Sequence, residues 1–353
     1  MHNKMRVAVA LSGGVDSSVA AALLKGQGHD VVGITMLIDG LDDAGEAAAL
    51  VADYLGIDHF LVDLQKSFQR EVISYFCSEY LAGFTPNPCV RCNKMIKFGA
   101  LLEAALDFGT DFLATGHYTR IVFDKERKRY LVKKAADRTK DQTYVMYSLA
   151  QNQLAKILMP LGEYTKEEVR KLAYEMNLPA ANRPESQEIC FIPDDDYRSF
   201  LGDKTGIDFK PGSFLDIHGN EIGQHKGIPF YTIGQRRGLG LALGERVYVS
   251  EIDPEKNTVT VGLKNDIFCS DLLAEDVNFI LFDHLEEALK VKAQVRYNSK
   301  PSPAVIEPAV ASANKGRMVK VRFDSPQWAV TPGQAVVFYD GDYLVGGGTI
   351  RRP

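Results

Sequence analysis

The six residues Ser12-Gly13-Gly14-Val15-Asp16-Ser17 constrain this chain more than any other stretch. They follow a short Val-rich apolar run, residues 5–11, and lead into residues 17–25, whose apolar positions recur at helical spacing. A strand-to-helix turn of this kind leaves backbone N–H groups unpaired at the positive end of a helix dipole, which favours an anion. Its glycines let the backbone approach phosphate closely. A plain turn with a serine cap would use some of the same residues. The lysine of a Walker loop is missing, and so is the G-x-G-x-x-G spacing of a dinucleotide fold. Kinase-type phosphoryl transfer and hydride transfer therefore find no support.

The pattern continues as alternating strands and helices, with strands at 31–36, 60–64 and 111–115 and helices at 44–55 and 68–81. That alternation predicts an α/β fold with an N-terminal doubly wound parallel sheet, whose ligand site lies beyond the carboxyl ends of the strands. Met36 and Gly116, each at a strand end, fall where an adenosine would lie, although plain core or turn residues would stand there equally well. After about residue 205, short strands between the turns Pro211-Gly212, His218-Gly219-Asn220 and Asp253-Pro254 replace the helices and read as a small, mainly β domain. From about residue 271, strands at 290–297, 317–323, 335–339 and 343–350 read as a small β-barrel. The expected domains are 1–205, 206–270 and 271–353.

No run approaches the ~18 apolar residues of a membrane span, and strand-like sequence begins too early to leave room for a targeting peptide. The expectation is a cytoplasmic protein. The net charge of −5 is placed unevenly: residues 290–353 hold ten Lys and Arg against four Asp and Glu, so they carry +6 and residues 1–289 carry −11. A basic module on an acidic body suits docking to RNA, although a solvated barrel surface would look the same.

Five cysteines, Cys77, Cys89, Cys92, Cys190 and Cys269, are too few and too scattered for a secreted disulfide framework. Cys89 and Cys92 lie in Thr85-Pro86-Asn87-Pro88-Cys89-Val90-Arg91-Cys92-Asn93-Lys94, whose prolines are expected to forbid helix until about Asn93. With a helix N-terminus, Arg91 and Lys94 nearby, a thiol there is expected to have a lowered pKa. Cys190 lies in a second polar stretch, Glu188-Ile189-Cys190-Phe191-Ile192, while Cys77 and Cys269 have apolar neighbours and read as inert core. A single C-x-x-C fits a redox disulfide, half of a zinc site or part of an iron–sulfur site; without a second one, a closed structural zinc site is disfavoured.

The glycine turn resembles the SGGxDS signature of PP-loop ATP pyrophosphatases, which cleave ATP between the α and β phosphates and leave an adenylate on their substrate. Residues 85–98, Thr115-Gly116-His117-Tyr118, Lys140-Asp141-Gln142, residues 188–192 and residues 231–240 (YTIGQRRGLG) follow in order. Taken together, over nearly the whole chain, they resemble the bacterial tRNA-specific 2-thiouridylases, the MnmA or TrmU family. The resemblance implies ATP bound by Ala10, Leu11, Ser12, Gly13, Gly14, Val15, Asp16, Ser17, Met36 and Gly116. It implies Cys92 as nucleophile and Cys190 as the persulfide-bearing cysteine, with Asn87, Pro88 and Cys89 against the target base. It places His117, Lys140, Asp141 and Gln142 on tRNA, and Arg296, Tyr297 and Gln334 of the barrel match tRNA-contact positions more loosely.

The resemblance also implies Mg²⁺ beside ATP, a wobble uridine in the tRNAs for Lys, Glu and Gln as target, and a cysteine desulfurase or sulfur-relay protein as persulfide donor. Some family members carry Asp at the position of Cys89. The third loop thiol here would give Cys89, Cys92 and Cys190 as a ligand set for a [4Fe–4S] cluster. The acidic stretch 39–46 is also short for a family loop. Two other classes compete. A PP-loop ligase acting on a small molecule would have no use for three loop thiols or a basic barrel. A silent RNA-binding protein would not need Ser12, Asp16, Cys92 and Cys190 intact.

Overall fold

The structure is a computed structural model that describes residues 4–38, 44–184, 189–192, 196–309 and 317–351. The chain divides into two compact units. Met1–Val72, Cys89–Asp195 and Gly341–Leu344 form the first; Ile73–Pro88, Asp196–Asp340 and Val345–Pro353 form the second.

In the first unit, β1 (Arg6–Ala10), β2 (Asp30–Leu37), β3 (His59–Asp63), β4 (Phe112–Ala114) and the strand Ile157–Leu158 make a wholly parallel sheet. Its spatial order is β3-β2-β1-β4 and then Ile157–Leu158. Val7, Ala8, Val9, Val32 and Ile34 are all buried, as strands covered on both faces require. Helix α1 (Val15–Gly26) sends Ala21 and Leu24 into one core with Ala48, Val51 and Ala52 of α2 (Ala44–Leu55). Its Val15, Val19 and Ala20 join a second core with Val169 and Ala173 of helix Lys166–Glu175. Chain order reverses between β1 and β4, and the crevice beyond the carboxyl ends of those two strands is where such a sheet binds ligands. Ser12–Ser17 leave β1 there and Thr115-Gly116-His117 leave β4 there.

The C-x-x-C segment is not the loop its prolines suggest. Pro88–Cys92 is already helical and runs on as a π-helix over Asn93–Ala100 and an α-helix over Leu101–Asp107. Pro88 opens the helix, where the missing N–H costs nothing.

In the second unit, strands Gly212–Leu215, Glu221–His225, Tyr248–Asp253 and Thr258–Gly262 form a four-stranded sheet around Phe214, Val249, Val259 and Val261. Strands Phe268–Phe279, Leu289–Gln294, Ser302–Ala309, Met318–Trp328, Ala335–Asp340 and Tyr343–Ile350 form the C-terminal β-barrel. It closes because Phe268–Phe279 pairs with both Met318–Trp328 and Tyr343–Ile350, around a core that includes Val321, Val336, Phe338 and Val345. Cys77 is buried as expected, but Cys269 is not core. It is partly exposed at the start of its strand, beside the exposed Phe268, and its thiol donates to Asp271 O at 2.7 Å. Among the described residues no helix is long and apolar enough to cross a membrane.

Candidate active site

The glycine turn forms as its sequence demands. Gly13 adopts a positive φ of 71°, and a side chain there would collide with Ala47. Gly14 caps α1 with no side-chain hydrogen bond, so the first turn of the helix keeps its N–H groups for an anion. Ser17 and Ser18 turn inward instead, donating to Gly14 O at 3.1 Å and 2.7 Å. From β2, Thr35 Oγ1 donates to Leu11 O at 2.7 Å, so His59 Nε2, 2.8 Å from the same hydroxyl, is the donor in that pair. Met36 follows, half-buried near the strand end.

Three partners of this turn carried no role in the sequence reading. Lys166 Nζ lies 2.7 Å and 2.8 Å from the two Asp16 carboxylate oxygens. Tyr118 OH donates to Asp16 Oδ1 at 2.8 Å, and Arg183 Nη1 reaches Gly13 O at 3.4 Å. A capping box of Thr165 and Glu168 starts the helix that carries Lys166.

Gly116 touches the turn directly: an added Cβ would lie 2.8 Å from both Asp16 C and Ser17 N. The next residue faces other partners. His117 Nδ1 is 2.7 Å from Thr115 Oγ1 and its ring is 5.7 Å from that of Phe98, in the helix after the cysteines. Burial and the Lys97 ammonium hold His117 well below the ordinary imidazole range. Two consecutive residues thus join the glycine turn to the thiol segment.

The three loop thiols converge. Cys190, 98 positions after Cys92, lies close enough to Cys92 and Cys89 for each pair to interact electrostatically, and Lys97 acts on all three. The expected depressed pKa is overturned. Burial pushes Cys92 up to about 12, Lys97 opposing. The same crowding raises Cys89 and Cys190, although both residues reach solvent, so Cys92 is the thiol for which the shift matters most. The cations named from sequence are not the ones that act: Arg91 is bound to Glu71 at 2.6 Å, and Lys94 is exposed. Lys97 takes over because the segment is π-helical, a geometry in which residues five apart, such as Cys92 and Lys97, lie one turn from each other. Asn93, next to Cys92, is buried with its Oδ1 unpartnered among the described residues.

The remaining residues divide between the units. In the first, Asp141 accepts from Ala135 N at 2.9 Å and Thr143 Oγ1 at 2.6 Å, and Gln142 Oε1 accepts from Tyr118 N at 2.8 Å. The Lys140 to Gln142 segment is therefore built into the fold around Tyr118 as well as lying at its surface. In the second, Gln334 Nε2 donates to Thr85 O at 2.8 Å and Pro86 O at 3.3 Å, bracing the segment that carries Asn87 and Pro88. Arg296 stacks on Trp328, 4.8 Å from the ring, and Tyr297 is exposed. Residues 39–43 of the acidic stretch and Glu188 lie outside the described residues. Among the described residues, no group of three His, Cys, Asp or Glu side chains is set to hold a metal ion.

Three family profiles match the chain in succession. They are the tRNA methyl transferase HUP domain over residues 5–194, the tRNA methyl transferase PRC-barrel domain over 198–263, and the aminomethyltransferase beta-barrel domain over 269–350. The chain is 54% identical over 366 residues to the tRNA-specific 2-thiouridylase MnmA of Desulforamulus reducens, covering 100% of this chain and 98% of the relative. It is 52% identical to that of Carboxydothermus hydrogenoformans, over 99% and 98% of the two chains. The likeness to that of Pelotomaculum thermopropionicum is 54%, again over 99% and 98%.

Proposed function

We propose a persulfide route to 2-thiouridine for this chain, which belongs to the MnmA family of tRNA-specific 2-thiouridylases and is an ATP-using tRNA sulfurtransferase. The observation that supports the route is the Gly116-His117 junction, with the nucleotide turn on one side and the Cys89, Cys92, Cys190 cluster on the other.

The wobble uridine, flipped from its stack, offers its O2 to the α-phosphorus of ATP at the Ala10 to Ser17 turn, and pyrophosphate leaves. The α1 N–H groups hold phosphate oxygens, and Gly116 keeps the wall thin beside Asp16 and Ser17. Mg²⁺ supplies charge neutralisation. The Asp16 carboxylate is committed to Lys166 and Tyr118, so the ion is expected to arrive with the nucleotide. The terminal persulfide sulfur on Cys190 attacks C2, and AMP departs with the oxygen. Cys92 thiolate then attacks Cys190 Sγ and releases 2-thiouridine, leaving a Cys92–Cys190 disulfide that a two-electron reductant reopens. Alternatively Cys92 attacks the persulfide first and hydrosulfide adds to C2. His117, held neutral by burial, meets the RNA as a hydrogen-bonding ring.

Residues 1–205 carry this chemistry in our reading, 271–353 dock tRNA through Arg296, Tyr297 and Gln334, and 206–270 form the domain between. The acceptors would be the tRNAs for Lys, Glu and Gln. The donor would be a cysteine desulfurase or relay protein in the cytoplasm. Three thiols meet, but among the described residues they do not form a group set to hold a metal ion.

The test is thiolation of unmodified tRNA with ATP, Mg²⁺ and a persulfide source, using wild type, Cys89→Ser, Cys92→Ser and Cys190→Ser, prepared with and without air. Loss in Cys92→Ser and Cys190→Ser alone, independent of iron, is expected. Activity confined to anaerobic, iron-loaded protein and needing all three thiols would refute the persulfide route.

A further inference from the structure

Residues 231–240 carry a ten-residue motif in the second unit to which the thiolation chemistry assigns no role. The structure makes this segment rigid. Gly234 N donates to Val249 O at 2.8 Å and Val249 N to Gln235 O at 3.0 Å, which locks the turn to strand Tyr248–Asp253. Gln235 closes it from within, accepting from Thr232 N at 3.1 Å and donating to Arg237 O at 3.0 Å. Gly234, Gly238 and Gly240 have positive φ of 86°, 74° and 72°, so the path of the backbone requires glycine at each.

At the tip of this braced turn stand Arg236 and Arg237, both exposed. Arg6, Arg91, Arg120 and Arg138 are all paired with carboxylates. Arg236 and Arg237 have no such partner among the described residues, although residues 1–289 carry an acidic excess. A third guanidinium adjoins them: a Cβ on Gly238 would lie 4.0 Å from Arg198 Nη2. Asp196 is close to Arg198 but is occupied in capping the helix that follows.

The turn also meets the barrel. A Cβ on Gly234 would lie 2.6 Å from Ala329 Cβ and 3.2 Å from Trp328 Cη2. Trp328 is the same ring that carries Arg296, whose Nη2 donates to Trp328 O at 3.1 Å. Trp328 thus touches the turn and Arg296 alike, and ties the turn that carries Arg236 and Arg237 to the Arg296 end of the barrel.

We infer that Arg236 and Arg237 bind backbone phosphates of the tRNA, extending the Arg296 and Tyr297 contact across Trp328 onto the central domain. Guanidinium groups suit phosphate, and a turn already held rigid loses little freedom on binding. Phosphate contacts fix register without reading sequence, as an enzyme with several acceptors requires. The inference rests on the tRNA reading above.

The test measures affinity of the full chain for an unmodified tRNA transcript from about 50 to about 300 mM KCl, following Trp328, the one tryptophan, by fluorescence. Arg236→Gln/Arg237→Gln is expected to bind on the order of 10-fold to 100-fold more weakly, with a salt slope smaller by about two. Arg236→Lys/Arg237→Lys should keep most of the slope. A Gln variant with unchanged Tm that binds with wild-type affinity and slope overturns the inference. So does one that binds tRNA normally but fails only with a protein sulfur donor, which would make the turn a protein-docking face. A wild type that binds no tRNA overturns instead the function on which the inference rests.

Discussion

Lys166 grips both carboxylate oxygens of Asp16, at 2.7 Å and 2.8 Å, across 150 residues of chain. The ammonium is nearly buried, Asp16 is one-third exposed, and Tyr118 OH completes the carboxylate's shell. The pair ties the glycine turn to the helix Lys166–Glu175. Lys166→Met leaves the carboxylate without its cation and is expected to cost about 2 kcal/mol of stability. It should lower ATP–pyrophosphate exchange at least about tenfold. Lys166→Arg, which cannot reproduce a point contact, should recover only part. Wild-type exchange in Lys166→Met would contradict this.

Lys97 is the cation shared by the thiol cluster and His117. Lys97→Met should raise the Cys92 pKa further, since Lys97 lowers it, and let the His117 pKa climb toward its ordinary range. Sulfur transfer should slow by about tenfold while ATP–pyrophosphate exchange persists, because the nucleotide turn is untouched. Alkylation of Cys92 against pH, resolved by peptide mapping, checks the thiol; NMR titration checks the imidazole.

Burial of Cys92 makes alkaline stability a readout. Between the free-thiol value of 9.0 and about 12, the unfolded chain has lost a proton that the folded chain retains. Stability attributable to this group is therefore complete below about pH 9 and falls as pH rises, by up to about 1.4 kcal/mol per unit. Denaturant unfolding of wild type and Cys92→Ala from about pH 8 to about pH 11 should show the steeper alkaline decline in wild type. Parallel curves would mean that Cys92 is not desolvated in the folded protein.

Gly116→Ala tests the junction. The new methyl would meet backbone at 2.8 Å, and neither Asp16 C nor Ser17 N can swing aside as a side chain would. The expected outcome is a loss of about 1–3 kcal/mol in stability and a raised KM for ATP, measured by exchange kinetics. An unaltered KM would show that the turn tolerates displacement.

Much of the local structure of the candidate site was legible because its residues lie in short contiguous motifs whose local physics is strong. The Ser12 to Ser17 turn needs only Gly13 and the strand and helix beside it to form, and Gly116 is placed by the strand that precedes it. The cysteine segment was misread because local rules pointed the wrong way. Two prolines suggest a loop, yet Pro88 fits the first turn of a helix, and adjacency favoured Arg91 and Lys94 over Lys97. Cys269 was misread for a related reason: its apolar neighbours include Phe268, which the start of the strand leaves exposed.

The sequence by itself determined the order of elements, the glycine turn and the family, since each depends on spacing or on residue type within a few positions. Tertiary structure alone decided which charges govern the turn and the thiols. Lys166 reaches Asp16, Cys190 interacts electrostatically with Cys92, Trp328 joins Gly234 to Arg296, and Lys97, in a π-helix, acts on the thiols. Electrostatic interaction and burial depend on distance through space, which no local pattern encodes. The Cys92 thiolate is therefore disfavoured in the folded protein, although its neighbours in sequence are cationic.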